Sequence, residues 1–236
     1  MEAVVLLSGG LDSSTVLAMA IKEHGVAPKD ILCLSLNYGQ KHSDEMQASH
    51  DVANYYGCHW THKQLDPSVF ASDKSSLTGD EPMPQLSYKE IAEGEGVSPT
   101  YVPFRNANLL STAAALGLGL GVHSVYFGAH AEDARGWAYP DCTPEFIGAM
   151  ANAIFIGTYY KVRLVTPIEW LMKKDIVRKG LELEVPYEIT MSCYEGTSPA
   201  CGKCPTCTER LAGFEANGAT DPLPYLLDED RLGHLT

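Results

Sequence analysis

With 236 residues, 45% of them apolar and 20% charged, the chain can bury one sizeable domain with a small appendage and is too apolar to be disordered. Its 30 acidic side chains outnumber the 17 basic ones, giving a net charge of −13. That charge repels the phosphate backbones of DNA and tRNA, so nucleic acid is disfavoured as a partner, whereas a nucleotide held by a local patch of amides or cations is not.

Taken in order, "AVVLLS" (3–8) is expected as a buried strand, followed by a helix from Ser13 to His24 that Gly25 stops. A second β-rich run covers 30–38. Ser43 then offers a cap, with Asp44 and Glu45 in the first turn of a helix that Gly57 ends. Residues 59–65 alternate as a strand. From 66 to 100 no periodicity survives, and Pro67, Pro82, Pro84 and Pro99 mark a long loop or lid. An Ala-rich helix begins near Asn106 and leads into a strand at 123–130. Thr143-Pro144-Glu145 supplies a capping hydroxyl, a first-turn proline and an acid, a strong helix start. A fifth strand at 161–167 and a last long helix at 173–183 complete the pattern. Strands separated by helices of this length imply an α/β fold: a parallel sheet, Rossmann-like, with helices on both faces and its ligand at the carboxyl ends of the strands.

At one such end stands "LLSGGLDSST" (6–15), small and polar immediately after a buried strand. It lacks the lysine of a P-loop and the three-glycine dinucleotide fingerprint. Gly9 and Gly10 expose amides, Ser8, Ser13 and Ser14 offer hydroxyls, and the following helix adds its positive end. Asp12 is out of place beside a phosphate unless a divalent cation lies between them. The stretch Ser8-Gly9-Gly10-Leu11-Asp12-Ser13-Ser14 is therefore read as a cradle for a polyphosphate with Mg²⁺, the bland alternative being an ordinary glycine turn.

Seven cysteines suit a reducing compartment rather than a disulfide framework, and four of them cluster: Cys193, Cys201, Cys204 and Cys207. Two overlapping C-x-x-C pairs share Cys204, and Cys193 supplies the fourth thiolate of a tetrahedron, which is the preference of zinc. Full cysteine coordination leaves no open position, so the metal is expected to be structural. An iron–sulfur cluster and a redox pair are the rivals. No basic leader precedes the first apolar stretch, and the longest apolar run, about 113–122, is broken by glycines. A cytoplasmic location with no membrane partner is expected.

The loop "SGGLDS" resembles that of the N-type ATP pyrophosphatases, a superfamily with an adenine nucleotide alpha hydrolase-like fold whose members cleave ATP between its α and β phosphates. The blocks "LNYGQKH", "VPFRNANLLS", "AYPDCTPEFI", "TPIEWLMKKDIV" and "CGKCPTC", in this order along one chain, are similar to those of the 7-cyano-7-deazaguanine synthase (QueC) family over most of the chain outside about 66–99. The resemblance implies an ATP-dependent ligase. It would adenylate 7-carboxy-7-deazaguanine, form an amide with free ammonia, and activate that amide with a second ATP to leave a nitrile. It further implies a homodimer, with an ATP-handling domain at 1–190 and a four-cysteine zinc-binding segment at 191–236.

Provisional roles follow. Asp12, Ser13, Lys173 (over Lys174) and Arg105 are the candidates for handling phosphates and the reacting carboxylate. Tyr38 and Gln40, past the second strand, are candidates for adenine or ribose. Arg105 and Asn106 head a helix and are placed to hold an anion. Glu132, Asp133 and Asp141 are candidates to accept the paired N–H groups of a deazaguanine, with Phe104 or Tyr139 stacking on its ring. His42 and His130 are read as polar structural residues. Two other functions stay open: a relative that stops at an amide or conjugates a deazaguanine, and a nucleotide-binding zinc protein without catalysis.

Overall fold

Strand β1 (Ala3–Leu6) is buried at every residue because both of its faces are covered, as a central strand of a parallel sheet requires. Its side chains alternate between two cores. Ala3 and Val5 join Val16, Leu17 and Ala20 of α1 (Leu11–Lys22), while Val4 and Leu6 join Leu110, Ala113 and Ala114 of α3 (Arg105–Leu120). In this computed structural model residues 1–40, 44–70, 75–79, 84, 96–130 and 132–226 are described.

Strands β2 (Ile31–Asn37), β3 (His59–Gln64), β4 (Ser124–Tyr126) and β5 (Arg163–Val165) complete one sheet in the order β3-β2-β1-β4-β5. Every neighbouring pair is parallel, with Ala3 opposite Ile31 on one side and Ser124 on the other. The chain winds outward from β1 to β3 through α1 and α2 (Asp44–Tyr56), then returns to lay β4 along the free edge of β1. Reversal of direction at β1/β4 opens a crevice beyond the carboxyl ends of those strands, because the loops that follow them diverge to opposite sides. Helices α4 (Pro144–Gly157) and α5 (Lys173–Glu182) cover the sheet from the second half of the chain. Thr143 caps α4 through its hydroxyl, which accepts from the Phe146 amide at 3.2 Å, as Thr-Pro-Glu predicts.

Several expected boundaries move. Helix α1 begins at Leu11, ahead of the expected Ser13, with Gly10 as an N-cap that offers no side chain. The strands expected at 123–130 and 161–167 shrink to three residues each, and their remainders run on as loops. The Ser43 cap, His42 and most of the expected lid lie outside the described residues. A helix with no counterpart in the sequence reading, α6 (Pro205–Glu215), begins among the cysteines and contains Cys207; its signal was a proline immediately after Cys204, which is its N-cap. Phe214 of α6 packs into the same core as α1 and β1. Among the described residues no helix is long and apolar enough to cross a membrane.

Candidate active site and metal centre

The crevice at the β1/β4 switch point is a cavity of about 250 Å³. Ser8, Gly10, Leu11, Asp12 and Ser13 form one wall; Gly9 and Ser14 do not line it. Gly9 answers to packing: its φ is +84°, and a Cβ there would lie 2.5 Å from the Ser49 amide nitrogen of α2. Ser14 is fully buried in the core, with no hydrogen-bond partner for its Oγ. Ser8 and Ser13 bond one another through their hydroxyls at 3.0 Å, and the Ser8 hydroxyl accepts from the Gly10 amide at 3.3 Å. Gly10, the N-cap of α1, brings no side chain of its own, and Leu11, Asp12 and Ser13 of the first turn line the crevice, where a helix start suits an anion. Gly128, past β4, also lines the crevice and packs against the loop: a Cβ there would stand 3.6 Å from the Ser13 amide nitrogen.

Asp12 stands at the edge of a buried charged cluster. Its two carboxylate oxygens accept from Lys173 Nζ at 2.8 and 2.7 Å. Lys173 Nζ also reaches Glu209 at 3.1 Å and His130 Nε2 at 3.2 Å, and His130 lies 3.4 Å from Asp133. Burial by itself would raise the Asp12 carboxyl, yet Lys173 and His130 hold it well below the usual carboxylate range. Lys173 is raised above the usual lysine range by Asp12 and Glu209 against the same opposing burial. His130, read from sequence as a structural residue, is instead a buried member of this cluster, raised against desolvation by Asp133 and Asp12. Sequence reasoning had no means of finding Glu209, which lies in the unanticipated α6.

Arg105, Asn106, Tyr38 and Gln40 line the cavity across from the loop. The Arg105 guanidinium donates to Tyr38 Oη at 3.1 Å, and Gln40 Oε1 accepts from the Tyr38 amide at 2.9 Å. Glu45 of α2 is a wall residue the sequence left unassigned; desolvation pushes its carboxyl up to about 7 against the pull of Arg105.

Of the remaining substrate candidates only Asp133 lines the cavity. The Asp141 carboxylate accepts from the Asn106 amide at 3.0 Å, and Glu132 accepts from the Lys173 amide at 2.6 Å, so each caps a helix whose first amides need an acceptor. Tyr139 is buried with its hydroxyl on Ser98 and Thr100, and Phe104 is 60% exposed, edge-on to Phe146. Their side chains thus have other partners than a ring in the cavity.

The four clustered cysteines are all buried, with ligand atoms within 4.8 Å of one another. Zn–S bonds of about 2.3 Å in a tetrahedron require sulfurs about 3.8 Å apart, and Cys201 and Cys207 sulfurs stand 4.0 Å apart. Thiolates on separate irons of a cluster would spread further, so the spacing suits one ion. The amides of Cys201 and Cys204 donate to Cys193 and Cys201 sulfurs, both at 3.3 Å, which supports thiolate charge. This segment is also a wall of the crevice. Met191 donates its amide to the Gly9 carbonyl at 2.9 Å, and Ser192 Oγ accepts from the Leu11 amide at 3.3 Å. Thr206 Oγ1 donates to the Ser192 carbonyl at 2.6 Å, tying the loop before Cys193 to α6.

A parallel α/β sheet whose switch-point crevice is lined by a helix start and by an acid paired to a buried lysine defines an α/β protein with a candidate anion-binding site there. In fold it is similar to the U34-tRNA thiolase NcsA of Methanococcus maripaludis, a protein solved with its [4Fe-4S] cluster: TM-score 0.52, 14% identity, 82% of this chain and 61% of that one. The chain belongs to the QueC family, since the family model for queuosine biosynthesis protein QueC matches residues 2–218. It is 44% identical to the 7-cyano-7-deazaguanine synthase of Thermoplasma acidophilum over 95% of this chain and 92% of that protein. Identities are 42% and 39% to the synthases of a Marinomonas species and of Caldicellulosiruptor bescii, covering 95% and 98% of this chain and 98% and 100% of theirs.

Proposed function

We propose that this protein is an ATP-dependent ligase that converts 7-carboxy-7-deazaguanine and ammonia to 7-cyano-7-deazaguanine, with a primary amide formed on the way. The observation that carries this reading is the convergence of the Ser8–Ser13 loop, Asp12 and Arg105 on one cavity, with Lys173, outside its lining, bonded to both Asp12 oxygens. The loop amides and the Ser8 and Ser13 hydroxyls bind ATP phosphates, and Tyr38 and Gln40 border the nucleoside. Asp12 holds Mg²⁺, which supplies charge neutralisation at the phosphates when bound. Lys173 stabilises negative charge as it develops on the departing pyrophosphate. Arg105 orients the substrate carboxylate, and Asp133 accepts from the deazaguanine edge. The cysteines hold a structural zinc that fixes the segment from 191 onward against the domain at 1–190. The protein is read as a cytoplasmic homodimer.

Dehydrating an amide in water is uphill, so its oxygen must become a leaving group; two ATP are expected per nitrile. The test supplies 7-amido-7-deazaguanine and MgATP without ammonia. One AMP per nitrile formed is the expected result. An inert amide, with the acid converted to it at one AMP each, would make the protein an amide-forming enzyme instead.

A further inference from the structure

Lys173 has two carboxylate partners that differ in one respect. Asp12, 29% exposed at its side chain, lines the cavity. Glu209, 8% exposed, does not line it; like Lys173 itself it borders a second cavity instead. As the fold stands, Asp12 already pairs with both of its oxygens to Lys173 Nζ, so a second acid adds little to a lysine thus satisfied. It also carries a cost, because Glu209 Oε1 is buried without a hydrogen-bond partner. Such an arrangement makes sense if Asp12 is not always available to Lys173.

From this asymmetry we propose that Glu209 is a positioning residue for Lys173, holding its ammonium in place when Asp12 turns to the cation of the bound nucleotide. The proposal deepens the functional reading above and rests on it. Glu209 reaches Lys173 because of how α6 is mounted. Cys204 caps that helix, Cys207 lies within it two positions before Glu209, and Thr206 ties it to Ser192 on the loop side. At Gly213 a Cβ would lie 2.9 Å from Val177 and 3.2 Å from Lys173 Cγ, so α6 approaches α5 closely only with glycine there. The cysteine segment therefore does more than close the fold: it carries the anchor for the lysine that pairs with Asp12 at the loop.

The test uses the full-length, metal-loaded protein and a double-mutant cycle of Glu209→Gln and Lys173→Met, read as AMP release. Glu209→Gln keeps the side-chain shape and removes the charge. It is expected to lower kcat by about tenfold or more, the usual effect of losing a supporting partner, while KM for ATP stays within about threefold. In the Lys173→Met background it should cost nothing further, and Glu209→Asp should recover part of the loss. A second readout needs no turnover: modification of Lys173 by an amine-reactive reagent, followed by mass spectrometry. Lys173 should stay protected in Asp12→Asn and become at least about tenfold more reactive in Asp12→Asn/Glu209→Gln. Unchanged kcat in Glu209→Gln, a loss fully additive with Lys173→Met, or equal protection in the two Asp12 variants would overturn the proposal. Wild-type protein that releases AMP but forms no nitrile would overturn the functional reading and leave this cycle interpretable; if no AMP appears at all, the labelling decides.

Discussion

The two walls of the crevice are built on different principles. The loop wall comes from contiguous residues, 8–13, whose shape follows from one strand end and one helix start. The second wall is assembled from Arg105, Gly128, Asp133 and Ser192, drawn from loops and termini far apart in the chain. On the first wall, residue type and spacing are enough to suggest chemistry. On the second they are not enough, because an acid in a loop beside a site can also serve a helix terminus. Asp141 and Glu132 both do this, capping α3 and α5. Four orphan amides at every helix start are a standing demand that short acids satisfy at little entropic cost.

The cysteine segment supports both walls, so its loss tests them together and is expected to have the largest effect. Structural zinc contributes on the order of 10 kcal/mol to folding of small sites. Chelation, or Cys204→Ser, should lower the melting temperature by roughly 10 °C or more, given about 2–4 °C per kcal/mol for a chain of this size. Thermal denaturation alongside metal analysis, with about one zinc expected per chain, checks this. An unchanged melting temperature in metal-free protein would show that the loop wall stands without its support.

Next in size is the contiguous wall. Asp12→Ala should lower AMP formation by ~100-fold or more, as when a group that stabilises developing charge is removed. The fold should persist, because Lys173 keeps Glu209 as a counterion. A folded variant with near-normal turnover would break the assignment of the loop.

The assembled wall is sharpened by contrasting two acids. Asp141→Ala, which uncaps α3, should cost about 1–2 kcal/mol of stability, measured by denaturant unfolding. Asp133→Asn should raise KM for the deazaguanine acid, with a smaller cost in stability because His130 keeps Asp12 beside it. The reverse pattern would return Asp141 to the substrate.

The smallest effect joins the walls through pH. Glu45 titrates at about 7 because burial opposes its charge, so it is largely neutral below that value and anionic above it. The sign for binding is fixed: raising pH through 7 adds a negative charge beside the phosphates and should weaken ATP binding a few-fold. The sign for stability is the same, since a carboxyl raised above its unfolded value stabilises the fold at low pH and loses that contribution as pH rises through 7. Titration calorimetry from pH 6 to 8 with wild type and Glu45→Gln checks the first, and a flat response in wild type would remove Glu45 from the phosphate site.

The alternation of strands and helices, the parallel sheet and the cysteine spacing were legible in the sequence, since each depends on local periodicity or on ligand chemistry that needs no distant partner. The loop's place between a strand end and a helix start was legible for the same reason, although Gly9 proved to serve the packing of α2 and Ser14 the core. Only the tertiary structure brought Lys173 from α5 and Glu209 from α6 to Asp12, 161 residues from the first of them. Only the tertiary structure, too, laid Ser192 against the start of α1. Such pairs are chosen by how helices dock on the sheet, with Gly213 setting the approach of α6, and docking depends on the shapes of surfaces that no short stretch of sequence contains.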